Sequence, residues 1–317
     1  MMSNEKFPLV CVVGPTASGK TGLAVALSQR LNGEVVSADS MQIYQELSIG
    51  TAKPTKEEMG GIPHHMIDFL SPKERFSVAD YAAMAREAIL AIHNRGKLPV
   101  LAGGTGLYVQ AVTEGILFRE EPENPEIRRR LEERAEKEGI EALFRELQKI
   151  DPPSADRIDR NNEKRVIRAL EIYYLTGETM TKRLENSRAG ELPFRPVLIG
   201  LGFSDRQKLY DRIEQRVDQM MKNGLLEEAG RVLKDLGITA SGAIGYKEFL
   251  PYFEGNVSLE EAVEQLKRDT RRYAKRQLTW FKRDARIHWI FVDQEKSFDG
   301  ILQNSLAYLE KQGMIEK

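Results

Sequence analysis

Apolar positions change their spacing along the chain, and each change marks an element. Residues 9–13, LVCVV, are a short continuous apolar run of strand type, and residues 20–31 then bring Leu23, Ala24, Leu27 and Leu31 round at helical intervals. EVVS, from residue 34, predicts a second strand. Residues 78–94, with Tyr81, Met84, Ala88 and Ile92 in step, predict a second helix. LPVLAGG, from residue 98, reads as a further strand that ends in glycines. Repeated strand, loop and helix signals of this kind predict an α/β fold whose parallel sheet is covered on both faces.

The pattern shifts after Phe118. Residues 119–151 are highly charged, with two prolines ahead of a helical repeat and no strand-like run, and residues 151–177 give a proline-broken loop and another amphipathic helix. This predicts an inserted helical module over 119–188 and a discontinuous core made of 1–118 and 189–317. Sheet patterning resumes at PVLIGLGF, residues 196–203. Ser204 and Gln207 have capping-box spacing for a helix that closes at Asn223-Gly224. Its apolar stripe is Leu209, Ile213, Val217 and Met220, which leaves Arg212 and Arg216 off the stripe. HWIFVD, near residue 290, predicts the last strand.

Composition narrows the setting. No apolar run approaches the roughly 18 residues of a membrane span, and the opening MMSNEKFPLV lacks the apolar core of a signal peptide. The lone Cys11 falls inside the first apolar strand and reads as a small buried hydrophobe, so a reducing cytoplasm is the expectation, while a monomer is simply the default. A net charge of -1 does not advertise a nucleic-acid binder. Residues 267–286, however, carry nine Lys or Arg against two Asp. Helical spacing there puts Leu266, Thr270, Tyr273, Gln277 and Phe281 on one stripe and Arg268, Arg272, Lys275, Arg276 and Arg283 largely on another. Such a cationic stripe suits a polyanion backbone or a diphosphate as well as plain solvation.

The candidate chemistry begins at GPTASGKT. Gly14, Pro15, Thr16, Ala17, Ser18, Gly19, Lys20 and Thr21 satisfy G-x-x-x-x-G-K-[ST] between a predicted strand and a predicted helix. Backbone N–H groups and the positive end of the helix make an anion cradle there; Lys20 reaches the outer phosphate, and the Thr21 hydroxyl suits Mg²⁺. Kinases, hydrolases and group transferases all use this device. Asp39 ends the second strand on the same sheet edge, where it could coordinate Mg²⁺, cap the next turn or accept a proton from a nucleophile. AGGTG, residues 102–106, repeats the strand-to-glycine geometry and offers the Thr105 hydroxyl. Lys53, beside a proline in SIGTAKPT, reads as a surface loop residue. His64 and His65 point to opposite faces of an extended chain, so no structural zinc is predicted.

GPTASGKT, SADSMQIY, SIGTAKP, PHHMID, LAGGTGLYV, AIGYKEF and RRYAKRQLTWF occur in this order, and the set resembles the tRNA dimethylallyltransferases, or tRNA isopentenyltransferases. The resemblance covers nearly the whole chain and is to the shorter bacterial type, without an appended zinc finger. It implies a P-loop NTPase-like parallel-sheet core, akin to nucleoside and nucleotide kinases, with an inserted all-helical domain that clamps the anticodon stem-loop. The implied reaction moves a dimethylallyl group from dimethylallyl diphosphate to N6 of adenosine 37 of tRNA and releases diphosphate. By the same resemblance the loop with Lys20, Thr21 and Mg²⁺ holds the diphosphate, and Asp39 accepts the N6 proton. The resemblance also implies tRNA contacts at Asp39, Ser40, Met41, Gln42, Thr105 and Arg128, and at Lys164, Arg165, Val166, Ile167 and Arg168. Arg216, Arg272, Lys275 and Arg276 are expected at diphosphate or backbone contacts. A small-molecule kinase would leave the basic helix unexplained, and an RNA-binding nucleotidase would give Asp39 no nucleophile to activate. An adenylate isopentenyltransferase would need no helical clamp.

Overall fold

The computed structural model describes residues 6–116, 124–187 and 191–315. The module boundaries expected at 118/119 and 188/189, and the opening five residues, lie outside them. The chain divides into two compact units, Met1–Thr113 with Leu192–Lys317, and Glu114–Glu191.

The first unit begins β1 (Phe7–Val13), α1 (Lys20–Arg30), β2 (Gly33–Ser37), β3 (His64–His65), α2 (Val78–Asn94), β4 (Leu98–Gly103) and α3 (Gly106–Thr113). The second unit holds α4 (Pro125–Glu138), α5 (Ile140–Ile150), α6 (Pro152–Arg157), α7 (Glu163–Thr176) and α8 (Met180–Ser187), with no strand among its described residues. The first unit then resumes with β5 (Phe194–Gly202), α9 (Arg206–Lys222), α10 (Leu225–Val232), α11 (Leu250–Phe253), α12 (Leu259–Phe281), β6 (His288–Phe291) and α13 (Phe298–Lys311).

Six strands form one sheet in the order β3-β2-β4-β1-β5-β6, every neighbouring pair parallel. β3 is the strand that the hydrophobic pattern misses: two histidines pairing with Val35 and Val36 carry no apolar run. β1 lies inside the sheet, and its side chains alternate between the two faces. Leu9, Cys11 and Val13 pack with Tyr81, Ala85 and Ile89 of α2, while Val10 and Val12 pack with Leu23 and Leu27 of α1 and Leu309 of α13. These strand residues are fully buried, each aliphatic one contributing about 1.5–3 kcal/mol. Burial also pushes the Cys11 thiol far above its ordinary range, so it behaves as a hydrophobe. A third apolar cluster joins Ile43, Tyr44 and Leu47 to Val217 of α9, Leu225 of α10 and Leu266 of α12.

Two local expectations change. The cap of α9 is Asp205, which accepts from the Gln207 N–H at 2.8 Å; Ser204 instead donates its hydroxyl to Asp293 at 2.6 Å and its N–H at 2.8 Å. A long-range carboxylate has claimed the serine and moved the helix start by one residue. α12 starts before the basic run and ends at Phe281, so Arg283 lies beyond the helix rather than on its cationic stripe.

Next to the edge strand β3, Glu34 of β2 is 3% exposed and meets Arg95 at 2.6 Å, His65 at 2.7 Å and Lys97 at 3.0 Å. Burial alone would raise its pKa, but hydrogen bonds from His65, Lys97 and Arg95 outweigh it and hold the carboxyl near 2, against 4.5 ordinarily. Its contribution to stability is therefore complete above pH 4.5 and fades as pH falls from there towards 2. Glu34→Gln should cost about 1–3 kcal/mol at neutral pH. In thermal melts, the gap to the parent protein should close on acidification through that window; a gap independent of pH would contradict the assignment.

Candidate active site

The phosphate-loop sequence leaves β1 and enters α1 through backbone conformations only some residues accept. Gly14 has φ 143°, and a Cβ there would fall 2.4 Å from the Leu201 carbonyl oxygen of β5. Gly19 is left-handed at the start of α1, and no side chain caps the helix. Its first amides are therefore left to an anion, which the helix dipole also favours. The loop is braced from three sides. The Lys20 ammonium donates to the Pro15 carbonyl at 2.5 Å, Arg212 of α9 donates through Nε to the Ala17 carbonyl at 2.9 Å, and the Thr16 N–H donates to Gln277 Oε1 of α12 at 2.8 Å. Gln277 Nε2 donates onward to the Gly104 carbonyl at 2.9 Å, so one buried amide ties the two glycine loops together.

Asp39 follows β2. Its Oδ1 accepts from the Met41 N–H at 2.9 Å and the Gln42 N–H at 3.3 Å. Thr105, at the end of the other glycine loop, accepts the Ser40 N–H at 3.0 Å and lies 3.3 Å from the Ser40 hydroxyl. Tyr273 of α12 stands beside this group; burial pushes its phenol well up, the Asp39 charge adds to that, and hydrogen bonds with Thr105 and Gln277 oppose it.

Thr16, Ala17, Gly19, Lys20 and Thr21 line a cavity of about 1040 Å³ together with Asp39, Ser40, Met41, Gln42, Arg216 and Arg276. Gly14, Pro15 and Ser18 are buried in the loop's frame, and Thr105 props Ser40 from behind. Arg272 and Lys275 are exposed on α12 and do not line the cavity; Arg272 pairs with Asp269 at 3.1 Å. In the helical unit, Lys164 and Arg165 are exposed. Arg128 and Arg168 meet the buried Glu171 carboxylate at 3.8 and 2.8 Å. Val166 and Ile167 are core residues of that unit, 0% and 2% exposed, so as side chains they are unavailable to RNA and the expected contact stretch narrows to Lys164, Arg165 and Arg168.

Lys53 also departs from its surface reading. Its side chain is 7% exposed, donates to the Tyr44 carbonyl at 2.7 Å and to Asp68 at 2.5 Å, and lines the cavity. Gln277 and Arg212 received no role from the sequence. The available signal was the polar glutamine on an otherwise packing stripe, since a buried amide must have partners.

A divalent cation would find oxygen donors here. Thr21 sits exposed in the first turn of α1, and Asp39 lines the same cavity. No group of three His, Cys, Asp or Glu among the described residues could hold a metal by itself. A hard cation suits this set if a diphosphate supplies most of its ligands.

The model of a family described as IPP transferase matches residues 42–284. The chain belongs to the IPP transferase family. It is 47% identical over 305 residues to a tRNA dimethylallyltransferase of Thermoanaerobacter sp. (strain X514), covering 95% of this chain and 97% of the relative. Among solved structures it is similar to the full-length tRNA isopentenylpyrophosphate transferase of Bacillus halodurans, with 47% identity, 96% of each chain covered and a TM-score of 0.72. It is also similar to a eukaryotic dimethylallyltransferase acting on tRNA, with 29% identity, 99% of this chain and 81% of the other covered, and a TM-score of 0.80. The α/β fold with a parallel, P-loop-like sheet expected from the sequence is thus the fold of this IPP transferase family member.

Lys20 makes the cavity responsive to pH. Burial, helped by the Arg216 guanidinium and opposed by the Asp39 carboxylate, lowers its pKa from 10.5 to about 7. A diphosphate brought against it favours the charged form, so binding above pH 7 should take up a proton. Calorimetry of dimethylallyl diphosphate binding at pH 8, in buffers of different ionisation enthalpy, should show that uptake in the parent protein. Lys20→Met should lack it; equal uptake by both proteins would remove Lys20 as its source.

Proposed function

We propose that the chain transfers a dimethylallyl group from dimethylallyl diphosphate to tRNA, at N6 of adenosine 37 beside the anticodon, releasing diphosphate. What carries the reading is one cavity that holds an anion cradle and a carboxylate, in a member of the IPP transferase family. Relatives of nearly the same length are named tRNA dimethylallyltransferase.

Lys20, the loop amides and Arg216 would bind the diphosphate and oppose the negative charge that grows on it as the carbon–oxygen bond breaks. Because the bonding pair leaves with the diphosphate, these groups act more strongly in the transition state than on the intact donor. Mg²⁺, held by Thr21 and diphosphate oxygens, would add positive charge against the same leaving group. The N6 lone pair is delocalised into the adenine ring and is a weak nucleophile. Asp39 would accept the N6 proton as the nitrogen–carbon bond forms, which prevents charge from building on the amine. A stacked base cannot present N6 to the cavity, so adenosine 37 would be turned out of the loop, with Ser40, Met41, Gln42 and Arg276 at the cavity wall to receive it. Arg128, Lys164, Arg165 and Arg168 of the helical unit would contact the anticodon stem-loop, and Arg272 and Lys275 the RNA backbone. No helix among the described residues is long and apolar enough to cross a membrane; the substrates and the single buried thiol fit a cytoplasmic location.

The deciding experiment incubates the protein and Mg²⁺ with unmodified tRNA and either dimethylallyl diphosphate or ATP, then weighs the nucleosides after digestion. A dimethylallyl gain on the adenosine beside the anticodon, with the prenyl donor alone, is expected. ATP consumption without that gain would return the loop to a kinase role. Asp39→Asn should lower the single-turnover rate by about 10²- to 10⁴-fold while tRNA affinity changes little. Equal losses in both would deny Asp39 the proton. Arg165→Ala should weaken tRNA binding and lower its salt slope by about 1, read from titrations across ionic strength.

A further inference from the structure

Two sequence blocks, SIGTAKP and AIGYKEF, have no part in the chemistry above, and one buried carboxylate joins them. Glu228 of α10 is 3% exposed. It accepts the N–H groups of three consecutive residues, Ser48 at 3.3 Å, Ile49 at 2.8 Å and Gly50 at 3.0 Å. The Tyr246 hydroxyl is a fourth donor at 2.7 Å. Converging backbone amides of this kind form an anion-binding nest, and here the anion is the protein's own side chain. A buried carboxylate is costly unless every lone pair finds a donor, so the loop must keep this shape for the charge to be tolerated.

The loop passes that constraint on. Directly after the anchored amides, the Thr51 and Ala52 carbonyls accept Gln42 Nε2 at 3.2 and 3.1 Å. Gln42 Oε1 lies 3.3 Å from the Ser37 hydroxyl at the end of β2, and the Gln42 N–H donates to Asp39 Oδ1. Glu228 does not line the cavity, whereas Gly50, Thr51, Gln42 and Asp39 do. We propose that Glu228 is a positioning residue for prenyl transfer: it fixes the loop at residues 48–52 and, through Gln42, the Asp39 carboxylate. The inference rests on the proposed function, because the proton that Asp39 accepts belongs to that reaction.

Glu228→Gln keeps the volume but turns an amide N–H₂ towards backbone donors, which should release the loop. At saturating tRNA, its single-turnover rate should fall about 10- to 100-fold. Affinity for dimethylallyl diphosphate, which depends on the phosphate loop, should stay near that of the parent, while the melting temperature falls as the buried donors lose their acceptor. Gln42→Leu should reproduce the defect, and the double variant should be no slower than the slower single one, because both act through one relay. Hydrogen exchange should rise at the amides of residues 48–50 and stay constant in the phosphate loop. An unchanged rate in Glu228→Gln, or losses that multiply in the double variant, would overturn the proposal. If Glu228→Gln does not fold, an unchanged rate in Gln42→Leu overturns it alone. If the parent protein transfers no prenyl group, the proposed function fails, and hydrogen exchange still decides whether Glu228 anchors the loop.

Discussion

The arrangement of the cavity depends on one buried amide. β1 and β4 are neighbours in the sheet, and each ends in a glycine loop that would otherwise drift independently. Gln277 accepts from Thr16 in one loop and donates to Gly104 in the other, using both ends of its side chain. A Cβ on Gly104 would fall 2.1 Å from Gln277 Nε2, so the contact needs the bare backbone that glycine provides. An unsatisfied buried polar group costs about 1–3 kcal/mol, which makes the bridge a strong constraint and not an incidental contact. Because Gln277 sits on α12, the same bond registers that helix, with Tyr273 and Arg276, against the ends of the strands.

The same cavity concentrates positive charge. Lys20 and Arg216 face one cavity, and each is driven towards its neutral form by burial, with the neighbouring cation adding to the effect on Lys20. Asp39 opposes the shift in both groups. A cavity lined by Lys20, Lys53, Arg212, Arg216, Lys247 and Arg276, with Asp39 and Glu58 as its carboxylates, gains most when an anion enters beside the cations and leaves Asp39 free. These electrostatics suit the proposed reading, with an anion at the loop and a proton donor at Asp39, in a way that a uniformly cationic pocket would not.

What the sequence disclosed and concealed follows from the range of the interactions. The phosphate loop, the apolar strands and Asp39 are written in contiguous residues, and local spacing identifies them. Gln277 and Lys53 are defined by partners far along the chain or by burial that no local pattern announces, so a bridging glutamine reads as packing and a buried lysine as surface. Ser204 illustrates the same limit: its capping-box spacing is sound, yet Asp293, 89 residues away, takes both its N–H and its hydroxyl. Val166 and Ile167 show the reverse case: the stretch that the resemblance implies runs across a helix turn whose two apolar members face the core, as the helical period requires.

Asp39 shows why competing readings of a residue need not exclude one another. Capping a turn and accepting a proton are alternatives on the sequence, because each explains an aspartate after a strand. In the structure Oδ1 takes both turn contacts, from Met41 and Gln42, and neither engages Oδ2. A carboxylate free to rotate would present either oxygen to a substrate and would lose rotamer freedom on every turnover. Fixed by two backbone donors, it presents one oxygen in one direction, with the orientation entropy met by folding. Under the proposed function the turn would be the means by which the carboxylate is aimed, and the residues that hold the turn would share in the chemistry without touching the substrate's reacting atoms.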